Sequence, residues 1–266
     1  MNNTFIDFEK IESNLNSYAS SYKEASPFEL LIIDDFLTPW GLNELNIAKL
    51  SSLASSKEKS SDYFFAKEKI ENPNLSKISG SLSSLKDELL SDRFRYFINK
   101  VTGQNLFLDD KFVGGGLHQG GPGSFLEMHA DFSRHPVNHD WIRELNLLLY
   151  LNPNWKKEYG GELDLYNALD GRKLSIEPIE NRFVIMLTKE HTVHGYKKIN
   201  FPENTFRTSI AAYAYKLDDG TDNVPYRSTT WHPSDFRKST AAKFLNKIVP
   251  IKQKIFGSRT AKRSED

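Results

Sequence analysis

The segment FLEMHADF places two side chains that can bind a metal, His129 and Asp131, two residues apart. Alternate residues of a β-strand point to the same face of a sheet, so a strand here would let both bind one ion. The same alternation predicts that Phe125 and Glu127 share this face. The opposite face would then carry the intervening residues, available to an outer packing layer: Leu126, Met128 and Ala130.

A third ligand must come from elsewhere, because a His-x-Asp pair alone is a weak signal of a metal site. The segment MLTKEHTVHGYK offers His191 and His194 directly after the apolar run RFVIML. His194 is the preferred ligand, since HGY begins a short strand, whereas the polar neighbours of His191 indicate an exposed turn. Two histidines and one carboxylate form the facial triad of non-haem Fe(II) oxygenases, which leaves coordination positions open.

The remaining histidines carry less information. His135 and His139 lie in the loop after Asp131 and are predicted to be at the surface. His232 has no supporting pattern.

The run FRTSIAAYAYK supplies a cation for the same site. Alternation puts Arg207 on one face of a strand together with Ser209, Ala211 and Tyr213. A dicarboxylate that chelates iron at one end needs a fixed cation at its other end, and a guanidinium binds a carboxylate through two parallel hydrogen bonds. Arg207 is a candidate for that role, against the alternative of a surface arginine in an ion pair.

The composition restricts the partners and the metal ligands that this protein can use. The chain carries 35 basic and 35 acidic residues, so its net charge gives no reason to expect a nucleic acid partner. The absence of cysteine leaves His, Asp and Glu as metal ligands. Mean hydropathy is −0.54, no apolar run is long enough to span a bilayer and no export signal begins the sequence, so a soluble, cytoplasmic protein is expected.

Residues 1–105 are predicted to be a support region packed on the core. FELLIIDDFL is typical of a buried strand, and residues 40–56 and 85–101 have helical periodicity. Between these helices, a polar stretch contains the aromatic residues Tyr63, Phe64 and Phe65. It is either a long loop pinned by a small core or a lid or wall of a substrate site.

Residues 106–236 consist of short β-rich runs separated by turn residues, including Gly120–Gly123. This pattern predicts a mainly β protein with flanking helices and a jelly-roll, cupin-like core, the double-stranded β-helix. The predicted strands are 106–118, 125–131, 143–151, 162–167, 172–178, 182–188, 192–196 and 206–215. Residues 237–266 are a basic tail, predicted to be a packed helix with a solvated end or a basic amphipathic segment.

Five segments in this order resemble the prolyl 4-hydroxylase-like branch of the 2-oxoglutarate/Fe(II) oxygenase superfamily. They are HQGGPGSFLEMHADF, RELNLLLYLNPNW, YGGELDLYN, RFVIMLTKEHTVHGY and FRTSIAAYAY. The resemblance covers residues 105–216, with weaker support from DDFL. It is specific for the superfamily and poorly specific for the substrate.

The resemblance implies that His129, Asp131 and His194 bind iron and that Arg207 binds the remote carboxylate of 2-oxoglutarate. Tyr150, in LLYLN, would bind the same carboxylate, unless it is a core tyrosine. Fe(II), 2-oxoglutarate and O₂ are the implied cofactors and co-substrates, with ascorbate as a further candidate. The implied reaction hydroxylates an unactivated C–H of a prolyl, peptidyl or small-molecule substrate and releases succinate and CO₂.

Two departures from the family pattern affect these assignments. Arg207 lies thirteen residues after His194, a longer interval than is usual, so KKINFPENT must form an extended turn. The family often has a tyrosine upstream of the first histidine ligand, where this chain has His118 and Gln119. Either could replace that tyrosine beside the co-substrate.

Two other functions stay open at this point. A cupin-like metalloenzyme of another reaction class would need the triad but not Arg207 and Tyr150. A catalytically inactive metal- or peptide-binding module would keep the fold alone. Arg143 and Asn146, in RELN, either contact the substrate or have a structural role, and the oligomeric state is not predicted.

Overall fold

The computed structural model describes residues 3–45 and 65–232. The basic tail, Tyr63, Phe64 and the second half of the helix predicted over 40–56 lie outside these residues. Within the described residues, no helix is long and apolar enough to cross a membrane.

The N-terminal region contains helices and two strands that join the sheet of the core. Its elements are α1 (Phe8–Ser13), α2 (Leu15–Glu24), β1 (Leu30–Ile33), α3 (Pro39–Leu45), β2 (Ala66–Asn72), α4 (Leu75–Ile78), α5 (Gly80–Leu90) and α6 (Asp92–Thr102). The prediction of strand β1 within FELLIIDDFL is confirmed, as is the beginning of the 40–56 helix.

One continuous helix over 85–101 was a wrong prediction, because the chain changes direction at Ser91. This residue has an extended backbone, and its hydroxyl accepts a hydrogen bond from the Phe94 amide, which caps α6. An N-terminal serine that satisfies a free amide stabilises a new helix start by about 1 kcal/mol. The two helices nevertheless bury the expected apolar residues, among them Leu85, Leu89 and Phe97.

The core consists of antiparallel strands in one strongly curled sheet. Its strands are β3 (Phe107–Leu108), β4 (Gly116–Ala130), β5 (Trp141–Tyr150), β6 (Leu163–Asn167), β7 (Lys173–Ile176), β8 (Arg182–Leu187), β9 (Thr192–Tyr196), β10 (Arg207–Leu217) and β11 (Thr230–Trp231). Among the described residues, the strand order is β1-β8-β5-β10-β4-β9-β6-β7, and β2 and β11 also pair with β4. The mainly β, double-stranded β-helix prediction is confirmed.

Strand β4 belongs to both halves of the curled sheet. Its first part, Gly116–Gly120, pairs with β10, whereas Leu126 and His129 pair with β9. Between these parts Gly123 has a φ of +84°, a left-handed conformation that favours glycine and bends the strand. The predicted strand 106–118 and the predicted break at Gly120–Gly123 were therefore wrong, because the glycines form a corner inside one long strand.

Alternate residues of β5 and β10 divide the molecule into an apolar layer and a polar cavity. One face packs against the N-terminal helices, and its residues include Leu145, Leu147, Leu149, Ile210 and Ala212. The other face lines the cavity, and its residues include Asn146, Tyr150, Arg207, Ser209 and Tyr213. The helices therefore stabilise the strands from outside, and the inner face remains available for binding.

Candidate metal and co-substrate site

His129 and His194 are brought together by strand pairing. They are register partners across β4 and β9, and partners in an antiparallel pair point to the same face. Their ring centroids lie 4.3 Å apart. A substituent on Gly195 would come within 2.6 Å of the Leu126 carbonyl oxygen, so the close approach of the two strands beside His194 requires glycine.

Asp131 completes the cluster from the residue that follows Ala130, the last residue of β4. Its Oδ1 lies 3.5 Å from Nε2 of His129, and its Oδ2 lies 3.5 Å from Nε2 of His194. One ligand atom from each residue lies within 4.8 Å of the others, a spacing that suits a single ion. The structure thus places the three predicted ligands around one point.

The local alternation differs from the prediction at Leu126. This side chain lines the cavity together with His129 and Asp131, and the register between β4 and β9 shifts between Leu126 and His129. Assigning Leu126 to the outer layer was therefore wrong. A regular strand would not bring both positions to the cavity, because they differ by an odd number of residues.

Arg143 and Asn146 form hydrogen bonds to Asp131 that fix the orientation of its carboxylate. Nη2 of Arg143 and Nδ2 of Asn146 both donate to Oδ2 of Asp131, at 3.0 and 2.8 Å. A register shift in the β5–β10 pairing makes Glu144 an extra residue, so two side chains three positions apart reach one face. Of the two roles considered for Arg143 and Asn146, these contacts favour the structural one.

The electrostatic environment keeps the cluster ready for a cation. Burial alone would raise the pKa of Asp131, but the Arg143 guanidinium and the two histidines outweigh it and hold that pKa well below its usual range. Burial and the proximity of His129 lower the pKa of His194 to about 3. Asp131 is thus ionised and His194 neutral near neutral pH, which are the protonation states that bind metals.

Arg207 and Tyr150 lie in the same cavity as the cluster. Nη2 of Arg207 donates to the Tyr150 hydroxyl at 3.3 Å, and Nε donates to the Gly161 carbonyl oxygen at 2.6 Å. The guanidinium carbon also lies 4.4 Å from the centroid of the Tyr196 ring. These contacts orient a buried guanidinium whose Nη1 has no hydrogen-bond partner among the described residues. Burial raises the pKa of Tyr150, so its phenol stays protonated.

His118 and Gln119 lie on opposite faces of β4. His118 is the register partner of Ser209, whose face lines the cavity, while Gln119 partners Thr208 and donates to its hydroxyl at 3.3 Å. Nε2 of His118 is buried and has no hydrogen-bond partner among the described residues. Burial and the nearby charge of Lys69 lower the pKa of His118 to about 4. Both residues border the cavity, but only His118 shares the face of Ser209.

Strand β2 contributes a cavity residue that the sequence analysis missed. Lys69, which forms an ion pair with Glu71, lines the cavity from a strand that pairs with β4. The described part of the polar stretch is thus a strand rather than a loop, and it forms a wall. The alternation of Lys67, Lys69 and Glu71 with Ile70 was the available signal, but one apolar residue is a weak pattern.

Three other histidines were predicted to lie at the surface or in an exposed turn. His139 is exposed, as predicted, and His191 lies outside the metal cluster in the turn before β9. Placing His135 at the surface was wrong, because its side chain is buried and its Nε2 lies 3.3 Å from Asp109 Oδ2. The paired carboxylate compensates for the burial of this polar ring.

Comparisons with known proteins agree with this geometry. Residues 115–215 match the family model of the 2OG-Fe(II) oxygenase superfamily. No curated protein matches the chain. A prolyl hydroxylase from Trichoplax adhaerens, solved with a hypoxia inducible factor oxygen degradation domain peptide fragment, shares 18% identity with a TM-score of 0.54, covering 80% of this chain and 92% of that chain.

Two further solved structures have a similar fold. A prolyl 4-hydroxylase from Phytophthora capsici shares 16% identity with a TM-score of 0.56, covering 91% of this chain and 75% of that chain. The third structure is the epimerase SnoN from nogalamycin biosynthesis, in complex with Fe³⁺, alpha ketoglutarate and nogalamycin RO. It shares 14% identity with a TM-score of 0.51, and the match covers 84% of this chain and 96% of that chain. At these identities the structures show a common fold and not a common substrate.

Residues 115–215 form a domain of the 2OG-Fe(II) oxygenase superfamily. Its activity class is accordingly that of a 2-oxoglutarate/Fe(II)-dependent dioxygenase with a prolyl hydroxylase-like fold, and Fe(II), 2-oxoglutarate and O₂ are its cofactors and co-substrates.

Proposed function

We propose that His129, Asp131 and His194 bind Fe(II), and that Arg207 and Tyr150 bind the remote carboxylate of 2-oxoglutarate in a hydroxylase. The observation that carries this proposal is the presence of both groups in one cavity, a three-ligand cluster and a fixed guanidinium. The donor set fits the metal, because two imidazoles and one carboxylate leave positions open for the co-substrate and O₂.

The protein's own groups orient the ligands. Nδ1 of His129 lies 2.9 Å from the Glu127 carbonyl oxygen, so it carries the proton and leaves Nε2 free for the metal. Oδ2 of Asp131 already accepts hydrogen bonds from Arg143 and Asn146, which leaves Oδ1 as the ligand atom.

The neighbouring residues hold the co-substrate in place. Tyr150 is protonated and can donate to the same carboxylate that Arg207 binds. His118, neutral and with an unpaired Nε2, would contact the co-substrate from β4. Bound Fe(II), 2-oxoglutarate and O₂ supply the oxidant for a substrate C–H, with release of succinate and CO₂. The residues orient the bound groups, and Leu126 and Lys69 line the cavity that holds them.

We propose a prolyl, peptidyl or small-molecule substrate, with no nucleic acid partner. Two solved structures of the same fold are named prolyl hydroxylases, one of them with a bound peptide fragment. Ascorbate would act as a reductant that keeps the iron in its ferrous state. We also infer that residues 1–105 support the oxygenase core of residues 106–236, because the helices and the outer faces of β5 and β10 share one apolar cluster.

The proposal is tested by anaerobic calorimetric titration of 2-oxoglutarate into the protein with and without Fe(II). We expect iron-dependent binding, followed in air by succinate release in a screen of prolyl peptides and small acids. Asp131→Ala should lose both the iron-dependent binding and the succinate release. Asp170→Ala, which removes an exposed carboxylate, should keep both properties. Iron binding without any binding of 2-oxoglutarate would instead support a cupin-like metalloenzyme of another class. Binding of both without turnover would support an inactive module.

A further inference from the structure

A second cavity adjoins the proposed metal site. Its volume is about 460 Å³, in the range of small-molecule sites. The turn between β8 and β9, with Lys189 and His191, forms one wall, and the segment of residues 223–227 before β11 forms another. Ser133, two residues after Asp131, lies on its border. The cavity is therefore close to the metal but separate from the cavity of Arg207.

Arg227 is fixed at the edge of this cavity. Its backbone amide donates to the Ser133 hydroxyl at 2.8 Å, and its carbonyl oxygen accepts from the Ser133 amide at 2.9 Å. Three residues later, β11 pairs with the end of β4, and the ring centroid of Trp231 lies 5.1 Å from that of His129. The position of Arg227 is thus tied directly to the strand that carries the proposed ligands.

The guanidinium of Arg227 has no partner within residues 3–45 and 65–232. None of its nitrogens forms a hydrogen bond or ion pair there, and Nη1 is inaccessible to solvent. An unpaired buried donor costs about 1–3 kcal/mol, so proteins normally satisfy it. Nη1 of Arg143, close enough for its charge to act on Arg227, is likewise buried and unpaired.

Arg143 is paired with Asp131, but the other charged residues that line the cavity form no ion pair with Arg227 among the described residues. Lys189 is already paired with Glu144. Glu29 and Glu190 also line the cavity, but neither forms an ion pair with Arg227 in the described part of the chain. Burial lowers the pKa of Arg227, and the opposing attraction of Glu190 and Asp131 does not restore it. Within the described residues, the Arg227 guanidinium therefore lacks an anionic partner.

We propose that this cavity binds an anionic group of the substrate, a carboxylate or a phosphate, and that Arg227 is its binding residue. The inference rests on the proposed oxygenase function and names a property of its substrate: an anionic oxygen group held beside the C–H that faces the metal. A guanidinium recognises both groups through paired N–H donors, so the chemistry is the same for either source.

The test uses inorganic phosphate and acetate as probes in calorimetric titrations. The protein is loaded with Mn(II) and the 2-oxoglutarate analogue N-oxalylglycine, so that Arg207 is occupied. We expect both anions to bind the wild type and to bind Arg227→Gln at least about tenfold more weakly. Arg227→Lys should recover part of the affinity. The control Arg172→Gln removes an exposed guanidinium and should change nothing. Stronger binding of phosphate would identify a phosphorylated substrate, and stronger binding of acetate a carboxylate.

A second measurement separates this proposal from the oxygenase assignment. Arg227→Gln should keep the wild-type affinity for 2-oxoglutarate, while the KM of a substrate found by the succinate screen rises at least about tenfold and kcat changes little. Equal anion affinity in wild type and Arg227→Gln, or no anion binding to the wild type, would overturn the anion site. Absence of 2-oxoglutarate binding in the wild type would overturn the oxygenase function. The difference in anion affinity between wild type and Arg227→Gln, measured without the analogue, would still test the anion site.

Discussion

The two faces of β5 and β10 show how one pair of strands can serve stability and chemistry separately. Leucines on the outer face fill an apolar layer against the helices. The inner face carries polar groups. Several buried atoms on β5 and on the strands β4 and β9 have no partner among the described residues: Arg143 Nη1, His118 Nε2 and His194 Nδ1. Such atoms cost stability. Neighbouring residues of one strand should therefore respond to substitution in opposite ways.

The largest expected effect is the loss of a proposed metal ligand on the inner side. His129→Ala removes one of three ligand atoms and leaves Asp131 and His194 to hold the ion alone. Turnover should fall to that of the metal-free protein, with only a small change in unfolding free energy. Succinate release and Fe(II) titration measure this. His191→Ala is the control and should retain Fe(II) affinity. An inactive His191→Ala together with an active His194→Ala would reassign the third ligand.

The next effect belongs to the outer face. Leu147 is buried between the sheet and the helices, so Leu147→Ala leaves a cavity and should lower the free energy of unfolding by about 2–5 kcal/mol. The 2-oxoglutarate affinity of the folded fraction should hardly change. Urea denaturation and calorimetry, carried out on the same sample, measure both. A large loss of affinity at full folding would show that the two faces are not independent.

A smaller effect is expected at Arg207. Loss of a buried, charge-assisted contact should weaken 2-oxoglutarate binding by about ten- to a hundredfold in Arg207→Ala, and Arg207→Lys should recover only part of it. Fe(II) affinity should stay within error, because the metal ligands come from other strands. Equal 2-oxoglutarate affinity in wild type and Arg207→Ala would contradict the co-substrate assignment even if iron binds.

The last expected effect concerns the pH dependence of stability. His118 and His194 have folded-state pKa values of about 4 and about 3, below that of a free imidazole. As pH falls below about 6.5, the unfolded chain takes up protons that the folded chain does not, so stability falls. The slope should approach about 1.4 kcal/mol per pH unit for each histidine between pH 6 and 4.

Denaturation of the metal-free protein across this range measures the slope. His118→Gln should reduce it by about half, and His139→Gln, at an exposed position, should leave it unchanged. A flat stability profile from pH 7 to 4 would show that the burial of these rings is relieved in solution.

The sequence predicted those parts of the site that depend on local alternation. The spacing of His129 and Asp131, the strand of His194 and the face of Arg207 follow from period two and from family resemblance. The double-stranded β-helix was predicted for the same reason, since most of its strands are bounded by glycine, proline or asparagine. The predictions that were wrong concern features that depend on residues distant in sequence.

The failures have one physical cause, which is the partner strand. The corner in β4 and the extra residue Glu144 in β5 exist only relative to β9 and β10, so no local pattern encodes them. Strand β2 has one buried isoleucine and owes its conformation to pairing with β4. The helix break at Ser91 is the exception, because it has a local cause. Ser91 is itself a helix-capping residue type, but the helical periodicity on both sides of it concealed this signal.

The aromatic stack beside the metal site gives the protein an intrinsic optical reporter. The rings of Phe65 and Trp231 are stacked with centroids 4.7 Å apart, and the Trp231 centroid lies 5.1 Å from that of the His129 ring. Ions with partly filled d shells quench indole emission at short range. Fluorescence of Trp231 should therefore report occupancy of the metal site directly, so affinity can be followed without a substrate, without turnover and before the natural reaction is known.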